Sequence, residues 1–246
     1  MDATRRLGQD PPVAAATVVP LRDAPEGIEV LMLRKNSKLA FGGMWVFPGG
    51  RVDAADLEEA DLDASDQPGA DEAGAEDAEL RAARRAAVRE AVEEAGVVLD
   101  SASLVPFSHW TPPPEAPRRF ATWFFLAPLR DAVDIVIDGG EIHDHTWIGP
   151  ADALARRDAG EVELAPPTWV TLSRLAPAAD VDAALAEARA SAVERFETRI
   201  ATIGQVLVAV WEGDAGFEDG DVLRPGGRRR LVMDPAGWRG EVDRPA

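Results

Sequence analysis

The residues best suited to chemistry are three glutamates, Glu90, Glu93 and Glu94, in the run Arg89-Glu90-Ala91-Val92-Glu93-Glu94-Ala95-Gly96-Val97. On an α-helix, positions i, i+3 and i+4 share a face, so these carboxylates converge within one turn while Val88, Ala91, Val92 and Ala95 are free to face a core. Three anions on one patch repel each other, and glutamate near a helix C-terminus also opposes the macrodipole. A hard divalent cation relieves that repulsion, because Mg²⁺ and Mn²⁺ prefer oxygen ligands, retain waters and bridge to substrate phosphates. On the carboxylates alone, a solvated Glu-rich helix end is the simpler account.

The elements around them decide the matter. A periodic, Ala- and Arg-rich helix is predicted from about Asp77 to Ala95, with Gly96 placed to cap it. Upstream, Val13–Leu21 and Glu29–Arg34 are apolar, β-branched runs on either side of Asp23-Ala24-Pro25-Glu26-Gly27, which together predict a hairpin. Trp45-Val46-Phe47 reads as a strand entering Pro48-Gly49-Gly50-Arg51, where paired glycines allow a close approach that side chains would block. Residues 53–78 are dense in Asp, Glu, Ala and Gly and carry no basic residue, the composition of a solvated, mobile insertion. Strands are expected at Ser103–Trp110, Phe120–Leu129, Asp131–Ile137, His145–Ile148 and Gln205–Trp211, and helices from Pro150 and over Trp169 to about Arg195.

The composition narrows the chemistry further. The 246 residues are 46% apolar, enough for one large domain or for a catalytic domain of about 150 residues with an appended segment. Lys and Arg total 26 against 44 Asp and Glu, a net charge of −18, which disfavours nucleic acid and anionic membrane surfaces as partners. The lack of cysteine removes disulfides, thiolate metal sites and a cysteine nucleophile. Neither a secretory signal nor an apolar stretch long enough to span a bilayer is evident, so a cytoplasmic location is expected.

The run Arg89–Val97 resembles the latter half of the Nudix box, Arg-Glu-apolar-any-Glu-Glu-any-Gly-apolar, and Gly49-Gly50 resembles the glycine pair that opens it. The common pattern carries a further glutamate eight residues before the arginine, a position held here by Arg81, with Glu79 two residues off register. Its short link from glycines to helix is also lengthened here by the acidic segment. An insertion at this place is similar to the branch of Nudix hydrolases related to the peroxisomal coenzyme A diphosphatases. Trp45–Asp53, Arg119–Ala127 and Leu164–Thr168 agree with that branch, and the likeness spans roughly Val13 to Leu175.

The resemblance implies an α/β Nudix fold, a mixed sheet in an α/β/α sandwich. It would occupy residues 13–176, after a flexible N-terminus at 1–12 and before a C-terminal helical and β extension at 177–246 that packs on it. It implies Mg²⁺ or Mn²⁺ held by Glu90, Glu93, Glu94 and the Gly49 carbonyl, with Glu93, Glu94 and the loop residue Glu141 as catalytic groups. Arg51, Arg118 and Arg119 are candidates for the substrate phosphates, since a guanidinium offers a planar donor fork. Trp110 and Pro112–Pro114 are a candidate surface for an adenine or acyl chain. The implied substrate is a small nucleoside diphosphate derivative: coenzyme A or acyl-CoA, cleaved to 3′,5′-ADP and phosphopantetheine, or else ADP-ribose, a dinucleotide or a nucleoside diphosphate sugar. A nucleotide-sensing Nudix module without turnover is the alternative of another class, which the arginine at position 81 would permit. The segment after Ala176 either covers one edge of the pocket or forms a homodimer surface.

Overall fold

A computed structural model of the chain describes residues 11–36, 42–58 and 72–243, with side chains from residue 78 onward in the helix that begins at 72. The expected flexible N-terminus, apart from residues 11 and 12, and residues 59–71 of the acidic insertion lie outside the described residues. The chain divides into two compact units. One comprises Val13–His109 and Thr122–Glu194, and the other includes Trp110–Ala121 and the chain from Arg195.

In the first unit, the predicted hairpin forms from β1 (Val13–Ala24) and β2 (Gly27–Lys35), in antiparallel register with Leu21 opposite Val30. β1 also pairs with the short strand β4 (Gly49–Arg51), and β2 with β3 (Trp45–Val46) and β7 (Ile142–Ile148). β5 (Val105–Thr111) and β6 (Phe120–Pro128) continue this mixed sheet in the order β3-β2-β1-β6-β5. Side chains alternate across a strand, so Leu31 and Leu33 face one way and Met32 the other. Leu31 and Leu33 join the core beneath the long helix α1 (Glu72–Ala95). Met32 lines a small cavity with Ala153 of α2 (Pro150–Asp158) and Leu164. Helices α3 (Pro166–Leu175) and α4 (Val181–Ala190) complete the unit, and the α/β/α layering follows from this two-sided burial.

α1 packs through Ala83, Ala87, Ala91 and Ala95, all essentially buried against Val18, Leu33 and Phe125. A stripe of alanines four residues apart brings the helix axis close to the sheet. Val92, expected in the core, lies off that stripe and is 44% exposed. The helix stops where Gly96 turns to φ 67°, with Gly96 N donating to Val92 O at 2.9 Å and Val97 N to Ala91 O at 3.0 Å. That left-handed cap is cheap only for glycine.

The helix starts at Glu72 rather than Asp77, because Ala and Glu propagate a helix readily and acidic residues suit its N-terminal end. The strand expected at Asp131–Ile137 does not form; Val136 N instead donates to the carbonyl of Ala95 at 3.0 Å, which ties the segment to the end of α1. The stretch from Trp169 breaks into α3 and α4 and ends in β8 (Glu194–Glu197).

The second unit holds a four-stranded sheet ordered β12-β11-β10-β9, formed by β9 (Arg199–Ile203), β10 (Val206–Val210), β11 (Arg229–Asp234) and β12 (Gly237–Val242). Trp110 is stacked on Phe196 at 3.9 Å, with Trp211 edge-on to both. Trp110 is therefore a buried core residue and not the exposed stacking surface its proline-rich surroundings suggest. The loop from β10 to β11 is held by a buried ion pair: Arg230 donates to Asp214 through Nε at 2.7 Å and Nη2 at 2.6 Å, and to Val222 O at 2.7 Å. Asp214 also accepts from the backbone N–H groups of Gly216 and Arg229. Burial alone would raise the Asp214 carboxyl; Arg230 and the two N–H groups override it and hold it below the ordinary aspartate range.

Removing one partner of a fully satisfied buried pair leaves the other charge uncompensated. Asp214→Ala should therefore lower the unfolding free energy by about 3–5 kcal/mol in urea melts. The depressed pKa fixes the sign with pH: the contribution is present above the ordinary aspartate value and is lost as pH falls through the lower folded value. The variant should lack that acid-range loss of stability.

Candidate active site

β1, β4 and the C-terminal half of α1 meet where Gly49 and Gly50 cross the helix. Gly49 pairs with Thr17 and Gly50 with Ala16 in the β1–β4 ladder, which fixes the loop against the sheet. A Cβ on Gly50 would fall inside van der Waals contact of the Glu90 carboxylate, whereas one on Gly49 would strike the Ala16 carbonyl and Thr17. The two glycines therefore serve different needs: Gly49 passes the backbone, and Gly50 makes room for an acid.

Glu94 is the centre of the site. Only 5% exposed, it accepts Gly49 N at 2.9 Å on Oε2 and Lys35 Nζ at 3.1 Å on Oε1. Burial pushes its carboxyl above the ordinary glutamate value against the pull of Lys35 and the Gly49 N–H. Burial raises Glu90 in the same way, opposed chiefly by Arg89. Two desolvated carboxyls one helical turn apart carry an unfavourable charge. Glu93, by contrast, points outward and is 57% exposed at the side chain.

Arg89 organises this end of the helix. Its Nη1 donates to Glu90 Oε1 at 2.8 Å and Glu93 Oε2 at 3.2 Å, and its Nη2 to the Arg51 carbonyl at 2.8 Å. Asp56 takes the other edge of the fork, at 2.9 Å from Nη2 and 3.4 Å from Nε. Its hydrogen bond is the largest cause of the raised Arg89 pKa. Buried Asp56 also accepts the Asp53 N–H at 2.9 Å, so it caps the helical turn at residues 54–58 from the third position.

Sequence reasoning missed Asp56 and Lys35. Counting back from Arg89 stays on the helix side of the insertion and reaches only Arg81 and Glu79. Glu79 instead accepts Trp123 Nε1 at 3.0 Å, with His109 Nε2 at 3.8 Å. Counting forward from Gly50 leads to Asp56. The signal for Lys35 was a cation at the end of the strand that pairs with the loop bearing Glu141.

Glu141 stands at the rim. Its Oε2 is 3.8 Å from Lys35 Nζ and its side chain is 62% exposed. The Asp138 carboxylate shapes its turn by accepting Glu141 N and Ile142 N, each at 2.9 Å. The Arg51 side chain is exposed beside the glycine loop, while Arg118 (exposed) and Arg119 (half-buried) belong to the 110–121 segment of the second unit.

Among the described residues, no group of three or more carboxylates or histidines is gathered into a ready-made metal cage. The donor set nevertheless fits Mg²⁺ or Mn²⁺, which are commonly held by one or two carboxylates plus waters and substrate phosphates. Glu90 and Glu94 supply oxygen only, and both are short of solvent.

No family model matches the chain. The chain is 26% identical over 228 residues to the Caenorhabditis elegans protein named "Putative nudix hydrolase 7", covering 84% of this chain and 77% of that one. Its fold is that of the Nudix hydrolase from Alicyclobacillus acidocaldarius, with TM-score 0.61 and 24% identity over 72% of this chain and 97% of that one. The chain thus has a Nudix fold and, in the run Arg89–Val97, resembles Nudix hydrolases in sequence. Among the described residues, no helix is long and apolar enough to cross a membrane.

Gly50→Ala tests the loop directly. The Glu90 side chain can swing away, so stability should change by under about 1 kcal/mol. Its displacement should weaken Mn²⁺ binding about tenfold or more, read by titration calorimetry.

Proposed function

We propose that the protein hydrolyses the diphosphate linkage of a nucleoside diphosphate joined to a second moiety, with Mg²⁺ or Mn²⁺ as cofactor. The observation that carries this reading is the burial of Glu94 beside Glu90 at the glycine loop, a concentration of anionic oxygen that a soluble fold tolerates at a cost. Glu90 and Glu94 would hold the cation, assisted by Glu93 and the Gly49 carbonyl. When bound, the cation supplies charge stabilisation for the transferred phosphoryl group and an acidified water.

The protein's own groups have distinct tasks. Gly49 N–H and Lys35 Nζ orient the two Glu94 oxygens, and Arg89 orients Glu90. Glu141, on a loop shaped by Asp138, would accept a proton from attacking water at its exposed carboxylate. Arg51 offers its guanidinium to a substrate phosphate.

For the substrate, we propose coenzyme A or acyl-CoA, cleaved to 3′,5′-ADP and phosphopantetheine. The acidic insertion between the glycine loop and the helix supports it, through its resemblance to the extended box of coenzyme A diphosphatases.

The test is a product-resolved assay of coenzyme A, an acyl-CoA, ADP-ribose, dinucleotides and a nucleoside diphosphate sugar, with and without divalent cation. Cation-dependent release of 3′,5′-ADP is expected, reduced at least about a hundredfold in Glu94→Gln. Rapid turnover of ADP-ribose with coenzyme A untouched would refute the substrate assignment and leave the chemistry standing. No turnover of any diphosphate would refute the chemistry.

A further inference from the structure

Lys35 places an ammonium group inside the carboxylate site. It ends β2, and its backbone is fixed on both sides: Lys35 N donates to Met44 O at 3.1 Å, and Gly43 N donates to Lys35 O at 3.0 Å. Its side chain is only 16% exposed and reaches Glu94 Oε1 at 3.1 Å and Glu141 Oε2 at 3.8 Å. Those acids come from separate elements, α1 and the loop before β7. The next residue secures the loop: Asn36 N donates to Glu141 O at 2.8 Å and Asn36 Nδ2 to Gly140 O at 3.2 Å. One strand end thus carries both the cation and the tether that bring Glu141 towards Glu94.

A lysine ammonium is a compact point charge on a flexible stem, with three donors it can redirect. It can neutralise Glu94 without a metal ion, yet it occupies the Oε1 oxygen that a divalent cation would also seek. Two cations close to one carboxylate oxygen repel strongly in a site with little water.

We infer that Lys35 is a built-in counter-ion that holds Glu94 and Glu141 in the metal-free protein and competes with the divalent cation for Glu94. It is a positioning residue, and this role rests on the proposed cation site at Glu90 and Glu94. Cation binding moves the ammonium off Glu94 Oε1. The competition keeps affinity for the free cation low, so occupancy rises when a diphosphate arrives with its own negative charge.

The test uses the full chain, Mn²⁺ alone as probe, and no substrate. Above neutral pH, Lys35→Met should bind Mn²⁺ about tenfold or more tightly than wild type by calorimetry or by the spin-resonance signal of free Mn²⁺. After chelator treatment the variant should melt at a lower temperature, and Mn²⁺ should raise its melting temperature by more than it raises that of wild type. Lys35→Arg, which keeps the charge, should stay near the wild-type affinity. A merely structural lysine predicts the opposite sign, weaker Mn²⁺ binding by Lys35→Met. Equal or weaker binding in a folded variant overturns the inference while leaving the cation site standing. Absence of Mn²⁺ binding in wild type and Lys35→Met alike overturns both.

Discussion

The arrangement of the site depends on satisfying one carboxyl group, Glu94, while it is nearly withdrawn from water. Burial disfavours its ionised form and must be offset by donors aimed at its two oxygens. The offset comes from the Gly49 amide on one oxygen and the Lys35 ammonium on the other. These constrain more than Glu94. Gly49 can present its amide only because β4 is zipped to β1, and Lys35 reaches Glu94 only because β2 lies beside β1 in the same sheet. The hairpin, the glycine loop and the helix are thus mutually fixed through one side chain.

The alanine stripe of α1 is the other half of that condition. Larger residues at positions 83, 87, 91 and 95 would lift the helix from the sheet and draw Glu94 away from Gly49 and Lys35. Glu90 shows how little slack there is, since its carboxylate lies where even a methyl group on Gly50 would need to be. Small residues on the helix and in the loop solve the same geometric problem from opposite sides.

Much of this was legible in the sequence, for reasons that can be stated. The glutamate helix, its cap at Gly96, the hairpin and the glycine loop are local patterns with strong physical periods or strong backbone demands. What stayed hidden depends on which distant residues meet. Glu90, Glu93 and Glu94 share a helix face on paper, yet packing buries Glu94 and leaves Glu93 in solvent. Val92 looks apolar enough for the core but falls outside the alanine stripe. Trp110 looks like a ligand platform until Phe196, remote in sequence, covers its face.

Asp56 and Lys35 show the same limit from the side of charge. Asp56 is separated from Arg89 by most of the acidic insertion, and nothing in that acid-rich composition singles it out for burial. Once found, it changes the meaning of Arg81. The helix does not need an acid at that position to hold Arg89, because Asp56, on the turn just after the glycine loop, holds it from across the insertion. The loop and the helix are thereby tied across the insertion. The length and composition of the intervening residues can vary without moving Glu90, provided that Asp56 and the helix still meet. In physical terms, the insertion is tolerated because Asp56, near its start, holds Arg89, beyond its end.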